Sequence, residues 1–254
     1  MPRIALLGCG NIASIIAAHA TDGVEITACY DVDGTRCRDY ARRTGATACA
    51  DLDGLLAADH ALLVEAASPE AVRECLTGAL EHGRDVVVLS VGALSDPGFL
   101  DETRALASRL GRTIHVPSGA VFGLDNIKVA RISGLDRLLL RTTKAPRSLG
   151  MDDATGRQCI FRGKAGEAVR RFPKNINVSA ALGLAAGREP DVELWVDPAA
   201  TANRHEIIAA GEFGEVTIRT DNRPSPDNPA TSYLAALSVL TLLRDLDDPV
   251  RVGT

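Results

Sequence analysis

The stretch Arg3-Ile4-Ala5-Leu6-Leu7-Gly8-Cys9-Gly10-Asn11-Ile12-Ala13 decides the fold of the N-terminal half of the chain. An apolar run leads into Gly8-x-Gly10-x-x-Ala13, and an amphipathic stretch follows. This order of strand, glycine turn and helix is the context that a dinucleotide-binding loop requires. Gly8 allows the tight turn, Gly10 lets a pyrophosphate approach the backbone, and Ala13 is small enough for close packing. The helix N-terminus then faces the phosphates.

A second apolar run, residues 24–30, ends in Asp31, where an acid meets the ribose hydroxyls of such a cofactor. An ordinary strand-to-helix turn would explain the glycines alone, and a capping residue would explain Asp31 alone. Together they favour dinucleotide binding. The carboxylates of Asp31 and Asp33 favour NAD because they would repel a 2′-phosphate. Arg36 could pair with that phosphate, so NADP remains an alternative.

Length and composition indicate one or two globular domains with ample core: 254 residues, 46% hydrophobic and 24% charged. The net charge of -5, without a basic stripe, argues against a nucleic-acid partner. No apolar run is long enough to span a membrane. Met1-Pro2-Arg3 leads directly into the first strand, so we expect no leader peptide and a cytoplasmic location.

The six cysteines show no Cys-x-x-Cys pair, and the histidines do not cluster with them in the sequence. The cysteines are Cys9, Cys29, Cys37, Cys49, Cys75 and Cys159. Most lie in apolar stretches, which is typical of small buried hydrophobic residues in a reducing compartment. We therefore expect no metal site.

The pattern of the chain changes near residue 118. Before it, strands of continuous apolar character, such as 85–90, alternate with helices, which predicts a doubly wound parallel sheet over residues 1–117. Residues 118–228 predict an α+β domain with a largely antiparallel sheet, including a hairpin around 211–214. A glycine-punctuated helix is expected to begin at Ser118, and a polar stretch extends from Pro146 to about Gly163. We expect an apolar helix, 229–246, to return and pack on the first domain. The fold class is therefore α/β with an added α+β domain.

Two polar motifs stand out in the second half. Lys174, Asn175 and Asn177 lie at a broken helix junction, where free N–H groups favour anions or carboxamides. A purely capping role is the alternative for Asn175. His205, in Asn203-Arg204-His205-Glu206-Ile207, is the one histidine of five that lies in a polar motif at the start of a strand.

Six stretches of the chain resemble the L-aspartate dehydrogenase family, which pairs a Rossmann domain with an α+β catalytic domain. They are residues 8–12, 90–94, 117–120 with 123–125, 172–178, 203–207 and 228–232. The resemblance implies a catalytic role for His205 and contacts of Ala120 and Asn177 with the nicotinamide end of the cofactor. Ala13 departs from the commoner glycine. Asp227 adds negative charge where an acidic substrate would approach.

The resemblance implies oxidation of L-aspartate to iminoaspartate, which water converts to oxaloacetate and ammonia, or the reverse reaction. The substrate ammonium must lose a proton, and an imidazole such as His205 titrates in the required range. The predicted cofactor-binding residues are Gly8, Gly10, Asn11, Ile12, Asp31, Ala120 and Asn177. The predicted substrate-binding residues are Ser118, Lys144, Lys174, Asn175 and Asn203. A solvated strand end is the alternative for Lys144, and a closing cleft between the domains is expected to align the reactants.

Other functions are compatible with the same two-domain pattern. One is a reductase similar to homoserine dehydrogenase or dihydrodipicolinate reductase, and another is a non-catalytic NAD-binding regulator. The direction of the reaction stays open, since the imine could feed NAD biosynthesis or ammonia could be fixed into aspartate. The family resemblance also predicts a homodimer.

Overall fold

The computed structural model describes residues 2–19, 23–151, 153–172, 177–225, 232–250 and 252–253. The chain divides into two compact units. The first comprises Met1–Pro117 with Ala236–Arg251, and the second comprises Ser118–Ala235 with Val252–Thr254. Among the helices in these ranges, none combines the length and the apolar character needed to cross a bilayer.

The first unit contains a parallel sheet with the strand order β3-β2-β1-β4-β5-β6. Its strands are β1 (Arg3–Leu7), β2 (Glu25–Tyr30), β3 (Thr47–Ala48), β4 (Leu62–Glu65), β5 (Asp85–Val88) and β6 (Ile114–His115). The alternating helices are α1 (Asn11–His19), α2 (Gly34–Thr44), α3 (Leu52–Ala57), α4 (Pro69–Glu81) and α5 (Pro97–Leu110). The predicted doubly wound parallel sheet is confirmed. The strand order reverses between β1 and β4, and dinucleotides bind outside the carboxyl ends of strands at such a point.

Local sequence explains where the helices of this unit begin. The Ser68 Oγ accepts a hydrogen bond from the Ala71 N–H at 3.2 Å, so Ser68 caps α4, and Pro69 occupies its first turn. Asp33 caps α2 by accepting hydrogen bonds from the N–H groups of Thr35 and Arg36. The carboxylate of Asp33 is therefore engaged by its own helix.

The core of the first unit draws on both ends of the chain. Sheet residues such as Ile4 and Leu6 are fully buried beside Val239 and Leu243. The latter two belong to α10 (Tyr233–Asp245), the last helix of the described residues. Burial of each large aliphatic side chain contributes about 1.5–3 kcal/mol. The C-terminal helix is therefore an integral part of this core.

The second unit contains a mixed sheet with the order β11-β10-β7-β9-β8. Its strands are β7 (Arg137–Lys144), β8 (Gln158–Lys164), β9 (Asp191–Val196), β10 (Asn203–Gly211) and β11 (Gly214–Asn222). Its helices are α6 (Leu124–Ile127), α7 (Ala130–Ser133), α8 (Ala165–Arg171) and α9 (Asn177–Ala186), and α10 begins in this unit. β7 and β9 pair in parallel and the other described neighbours are antiparallel, which confirms the largely antiparallel prediction.

Two segments of this unit differ from what the sequence pattern indicates. The polar stretch 146–163 contains most of β8. β8 is an edge strand in which only Phe161 is buried, so it has no apolar run by which to recognise it. The glycine-punctuated helix expected from Ser118 is reduced to the short turns α6 and α7. Gly119 and Gly123 have φ values of 65° and 79°, which interrupt a right-handed helix.

Candidate functional site

The two glycines of the N-terminal loop have different physical roles. Gly8 has a φ of 94°, and a Cβ at this position would lie 2.7 Å from the carbonyl oxygen of Ala66. A Cβ on Gly10 would have no heavy atom within 4 Å. Asn11 and Ile12 follow directly as the first residues of α1. Gly8 is therefore required for packing, whereas Gly10 leaves open space at a helix N-terminus, as a bound pyrophosphate needs.

Asp31 follows β2 and holds the glycine loop. Its Oδ2 accepts a hydrogen bond from the Cys9 N–H at 2.8 Å, and its Oδ1 accepts one from the Asp33 N–H at 2.8 Å. The Arg36 Nη1 lies 3.7 Å from the Asp31 Oδ2. A carboxylate oxygen has two lone pairs, so Asp31 keeps acceptor capacity for a ribose hydroxyl. The residue thus orders the loop and can contact a cofactor.

Glu65 is a buried carboxyl group that sequence reasoning did not single out. Its Oε1 accepts hydrogen bonds from the Ala67 N–H at 2.8 Å and the Ser90 Oγ at 2.7 Å. Its Oε2 accepts from the Ser90 N–H at 2.9 Å and the Leu89 N–H at 3.2 Å. Burial raises the pKa of Glu65, and these hydrogen bonds oppose that rise. Glu65 thereby ties together the carboxyl ends of β4 and β5. The sequence feature that could have indicated this role is that Glu65 is the one acidic residue in the apolar run 61–67.

In the second unit, His205 is buried among polar groups. It lies on β10, opposite Thr142 of β7 and Thr220 of β11. The imidazole Nδ1 is 2.9 Å from the Thr142 Oγ1, and the residue is only 7% exposed. Burial, together with the positive charge of Lys144, lowers the pKa of His205 to about 3. The imidazole is therefore neutral at pH 7 and able to accept a proton.

Lys144 ends β7 on the same face of the strand as Thr142, two residues away. The residue is partly buried, and this burial lowers the pKa of its ammonium group. The neighbouring Thr220 hydroxyl is buried without a hydrogen-bond partner among the described residues. Buried polar groups are normally hydrogen-bonded. This end of the sheet thus combines a cation, a neutral imidazole and an unused hydroxyl, a set suited to a polar anionic ligand.

Asn222 supports the loop that contains Ala120, and sequence reasoning missed it. The Asn222 Nδ2 donates a hydrogen bond to the Ala120 carbonyl oxygen at 2.8 Å, and the Ser232 Oγ donates one to the Asn222 Oδ1 at 2.7 Å. Asn222 also pairs with Asn203 in the ladder between β10 and β11. The sequence gives no sign of this contact, because Asn222 lies at the end of a predicted hairpin strand and Ala120 is 102 positions away along the chain.

The other predicted residues of this unit are more exposed than His205, or they lie outside the described residues. Ser118 and Asn203 are half-buried, and Asn177 is exposed at the start of α9. Lys174 and Asn175, like Asp227 and the stretch 228–231, lie outside the described residues. The structure thus brings Lys144 and His205 together, and it keeps Ala120 close to Asn222.

Comparison with known proteins assigns this arrangement to a family. The family model described as "Aspartate dehydrogenase, C-terminal" matches residues 125–246, and the one described as "Homoserine dehydrogenase, NAD binding domain" matches residues 8–117. The chain is 53% identical over 254 residues to the L-aspartate dehydrogenase of Methanospirillum hungatei, with 100% of both chains covered. The chain belongs to the L-aspartate dehydrogenase family. The family resemblance seen in the sequence is confirmed.

Further relatives agree with membership in the L-aspartate dehydrogenase family. The L-aspartate dehydrogenase of Methanothermobacter thermautotrophicus is 44% identical, with 99% of this chain and 98% of the relative covered. The crystal structure of aspartate dehydrogenase from Thermotoga maritima superimposes with a TM-score of 0.80 at 26% identity, covering 100% of both chains. A myo-inositol dehydrogenase structure from Sinorhizobium meliloti, with a TM-score of 0.58 at 13% identity, shares the fold. The chain is thus a nicotinamide-dependent oxidoreductase.

Proposed function

We propose that this protein catalyses the oxidation of L-aspartate to iminoaspartate, which water hydrolyses to oxaloacetate and ammonia, or the reverse reductive amination. The observation that carries the proposal is the neutral, buried imidazole of His205 beside the cation of Lys144, on strands within the region matched by the aspartate dehydrogenase family model. A base and a cation are the two groups that a dicarboxylic amino acid requires from its enzyme.

The proposed cofactor residues of the first unit are Gly8, Gly10, Asn11, Ile12 and Asp31. The open space at Gly10 and the acceptor capacity of Asp31 both fit a dinucleotide. When bound, the nicotinamide supplies the acceptor for the hydride that leaves the substrate Cα.

Ala120 and Asn177 are proposed, from the family resemblance, to contact the nicotinamide end. For Ala120, the hydrogen bond from Asn222 to its carbonyl oxygen supports this role, because it fixes the backbone of that loop.

NAD is the proposed cofactor in preference to NADP. Arg36 is the cation near the ribose position, and its guanidinium lies 3.7 Å from the Asp31 carboxylate and 3.8 Å from that of Asp33. Two carboxylates therefore already neutralise the charge that a 2′-phosphate would need. The carboxylate of Asp31 would also repel that phosphate.

His205 is proposed as the base that takes a proton from the substrate ammonium. In the tautomer in which Nδ1–H donates to the Thr142 Oγ1, the lone pair lies on Nε2 and can accept the proton. Burial and Lys144 lower the pKa of His205 to about 3 in the absence of substrate. The two carboxylates of aspartate would raise the pKa of the imidazole again, since opposite charge stabilises the imidazolium. The base would thus become effective when the dianionic substrate is bound.

Lys144 is proposed to bind a substrate carboxylate. Burial lowers the pKa of its ammonium group, so an anionic ligand stabilises the charged form more strongly here than at an exposed site. Ser118 and Asn203 are proposed as neutral donors, together with Lys174 and Asn175. This arrangement selects an acidic substrate.

The test is an absorbance assay of NADH formation with L-aspartate, D-aspartate, L-glutamate, L-asparagine and L-homoserine. L-Aspartate should give the highest kcat/KM. A preference for L-homoserine would overturn the proposal in favour of a homoserine dehydrogenase activity. Cofactor binding without turnover on any of these compounds would favour the non-catalytic regulator.

A matched pair of lysine variants tests the substrate site separately. Lys144→Gln should raise the KM for L-aspartate at least about tenfold, since charge-assisted hydrogen bonds are worth about 1.5–3 kcal/mol. Lys164→Gln is the control, because the exposed Lys164 pairs with Asp191 at 2.6 Å at the edge strand β8. Equal effects of the two substitutions would refute the role of Lys144.

A further inference from the structure

Three buried thiols meet beneath the glycine loop of the first unit. Cys9 lies in the loop itself, Cys29 on β2 and Cys37 on α2, and their exposures are 2%, 0% and 2%. The three Sγ atoms all lie within 4.8 Å of one another. In the part of the chain that the structure describes, this is the one group of three histidine, cysteine or acidic side chains with such spacing. The fold thus assembles residues that are 20 and 8 positions apart along the chain.

The spacing of the sulfur atoms is close to that of a metal–thiolate centre. With Zn–S bonds of about 2.3 Å, three thiolates around one ion have their sulfur atoms about 3.8–4.0 Å apart. The Sγ atoms of Cys29 and Cys37 are already 3.9 Å apart. These thiols make only weak hydrogen bonds, since S–H is a weak donor. For example, the Cys37 S–H donates to the Cys29 carbonyl oxygen at 3.5 Å. Coordination therefore requires only small side-chain movements and breaks no strong hydrogen bond.

We propose that Cys9, Cys29 and Cys37 form a binding site for one divalent thiophilic d10 cation, such as Zn²⁺ or Cd²⁺. Soft thiolate ligands select such ions over Mg²⁺ and Ca²⁺. On binding, the three S–H groups lose three protons to the solvent and three metal–sulfur bonds form, with no change in oxidation state. A divalent ion leaves one net negative charge in this buried site, whereas a monovalent ion would leave two at a greater desolvation cost. The proposal replaces the expectation, drawn from sequence spacing, that the chain has no metal site.

The position of Cys9 connects this site to the cofactor loop. Cys9 stands between Gly8 and Gly10, and its N–H donates to the Asp31 carboxylate at 2.8 Å. A cation bound to the Cys9 thiolate therefore fixes the loop. Because three neutral thiols become three thiolates around one divalent ion, the occupied site carries one net negative charge close to the place where the pyrophosphate would bind. Occupation of the site should weaken binding of the dinucleotide. This consequence rests on the proposed function, whereas the metal site itself does not.

The test is titration of the reduced full-length protein with Cd²⁺, followed by the ultraviolet charge-transfer absorption of Cd–thiolate bonds and by equilibrium dialysis. The parent protein should carry Cys49→Ser and Cys159→Ser, because these two thiols are the less buried ones. One Cd²⁺ should bind per chain, protons should be released into weak buffer, and the thermal midpoint should rise. Zn²⁺ should compete with Cd²⁺ and Mg²⁺ should not.

Alanine variants of single cysteines decide whether the three thiols are the ligands. Cys9→Ala and Cys37→Ala should each weaken Cd²⁺ binding at least about a hundredfold, because loss of even an outer-shell group costs about 10–100-fold. Cys75→Ala is the matched control, since Cys75 is equally buried but lies outside the cluster. Circular dichroism checks that each variant is folded.

Two results would overturn the proposed site. One is the absence of Cd²⁺ binding both in native protein after long incubation and in protein refolded with Cd²⁺. The other is binding that Cys9→Ala and Cys37→Ala leave unchanged. Neither result bears on turnover of L-aspartate, so failure of this proposal is distinguishable from failure of the proposed function.

Discussion

Substitution of the two loop glycines by alanine should separate the packing role of Gly8 from the binding role of Gly10. Gly8→Ala places a Cβ 2.7 Å from the Ala66 carbonyl oxygen and forces alanine to a φ of 94°. The left-handed backbone costs about 1–2 kcal/mol. Overpacking against a backbone atom adds about 1–3 kcal/mol. The free energy of unfolding should therefore fall by about 2–5 kcal/mol. This is a large part of the total free energy of unfolding of a typical protein, which is about 5–15 kcal/mol.

Gly10→Ala is the matched variant, since its Cβ meets no heavy atom within 4 Å. Its free energy of unfolding should stay within about 0.5 kcal/mol of wild type. Its affinity for NADH should nevertheless fall at least about tenfold, because the methyl group occupies the space through which the pyrophosphate approaches the backbone. Urea unfolding and NADH fluorescence titration measure the two quantities. Wild-type stability of Gly8→Ala, or wild-type affinity of Gly10→Ala, would refute the division of roles.

Three further predictions concern pH, cofactor choice and the Ala120 loop. Burial lowers the pKa of His205 to about 3 from its ordinary value of 6.5, so only the unfolded chain binds a proton between these values, and stability falls as the pH drops below about 6.5. Between about pH 6.5 and 5, the free energy of unfolding of wild type should fall more steeply than that of His205→Asn, by up to about 1.4 kcal/mol per pH unit at the lower end of this range. Equal slopes would count against a buried neutral imidazole. Asp31→Asn should raise the affinity for NADP relative to NAD in a binding titration. The substitution removes the charge that repels the 2′-phosphate, and it leaves the charge of Arg36 less neutralised. An unchanged ratio of the two affinities would show that Asp31 does not contact the ribose. Asn222→Ala removes the hydrogen bond donated to the Ala120 carbonyl oxygen and the one accepted from the Ser232 Oγ. It should lower kcat and reduce the free energy of unfolding in urea by only about 1–3 kcal/mol, because each hydrogen bond contributes about 0.5–1.5 kcal/mol. An unchanged kcat would show that this loop does not serve the reaction.

Sequence was sufficient where local periodicity and loop chemistry decide structure. The glycine loop and the alternation of strands with helices depend on residues that are close in sequence. The parallel sheet follows from them. The edge strand β8 escaped prediction because an edge strand exposes most of its side chains and needs no apolar alternation.

Sequence was insufficient where function depends on contacts between distant residues. The chemical character of His205 comes from Thr142 and Lys144, on another strand and more than 60 residues away. Histidine type and polar neighbours pointed to a functional group, but they gave no indication of its burial or of its depressed pKa. The contact between Asn222 and Ala120, and the meeting of three thiols, likewise arise only when the sheets are assembled.

Steady-state kinetics of His205→Asn with L-aspartate is the decisive measurement of whether His205 acts as the base. Asparagine keeps a polar side chain beside Thr142 but cannot accept a proton from an ammonium group. The NADH affinity of this variant should stay near the wild-type value while kcat falls by about 10²–10⁴-fold, the usual contribution of a general base. A variant that turns over L-aspartate within a few-fold of the wild-type rate would contradict this role of His205.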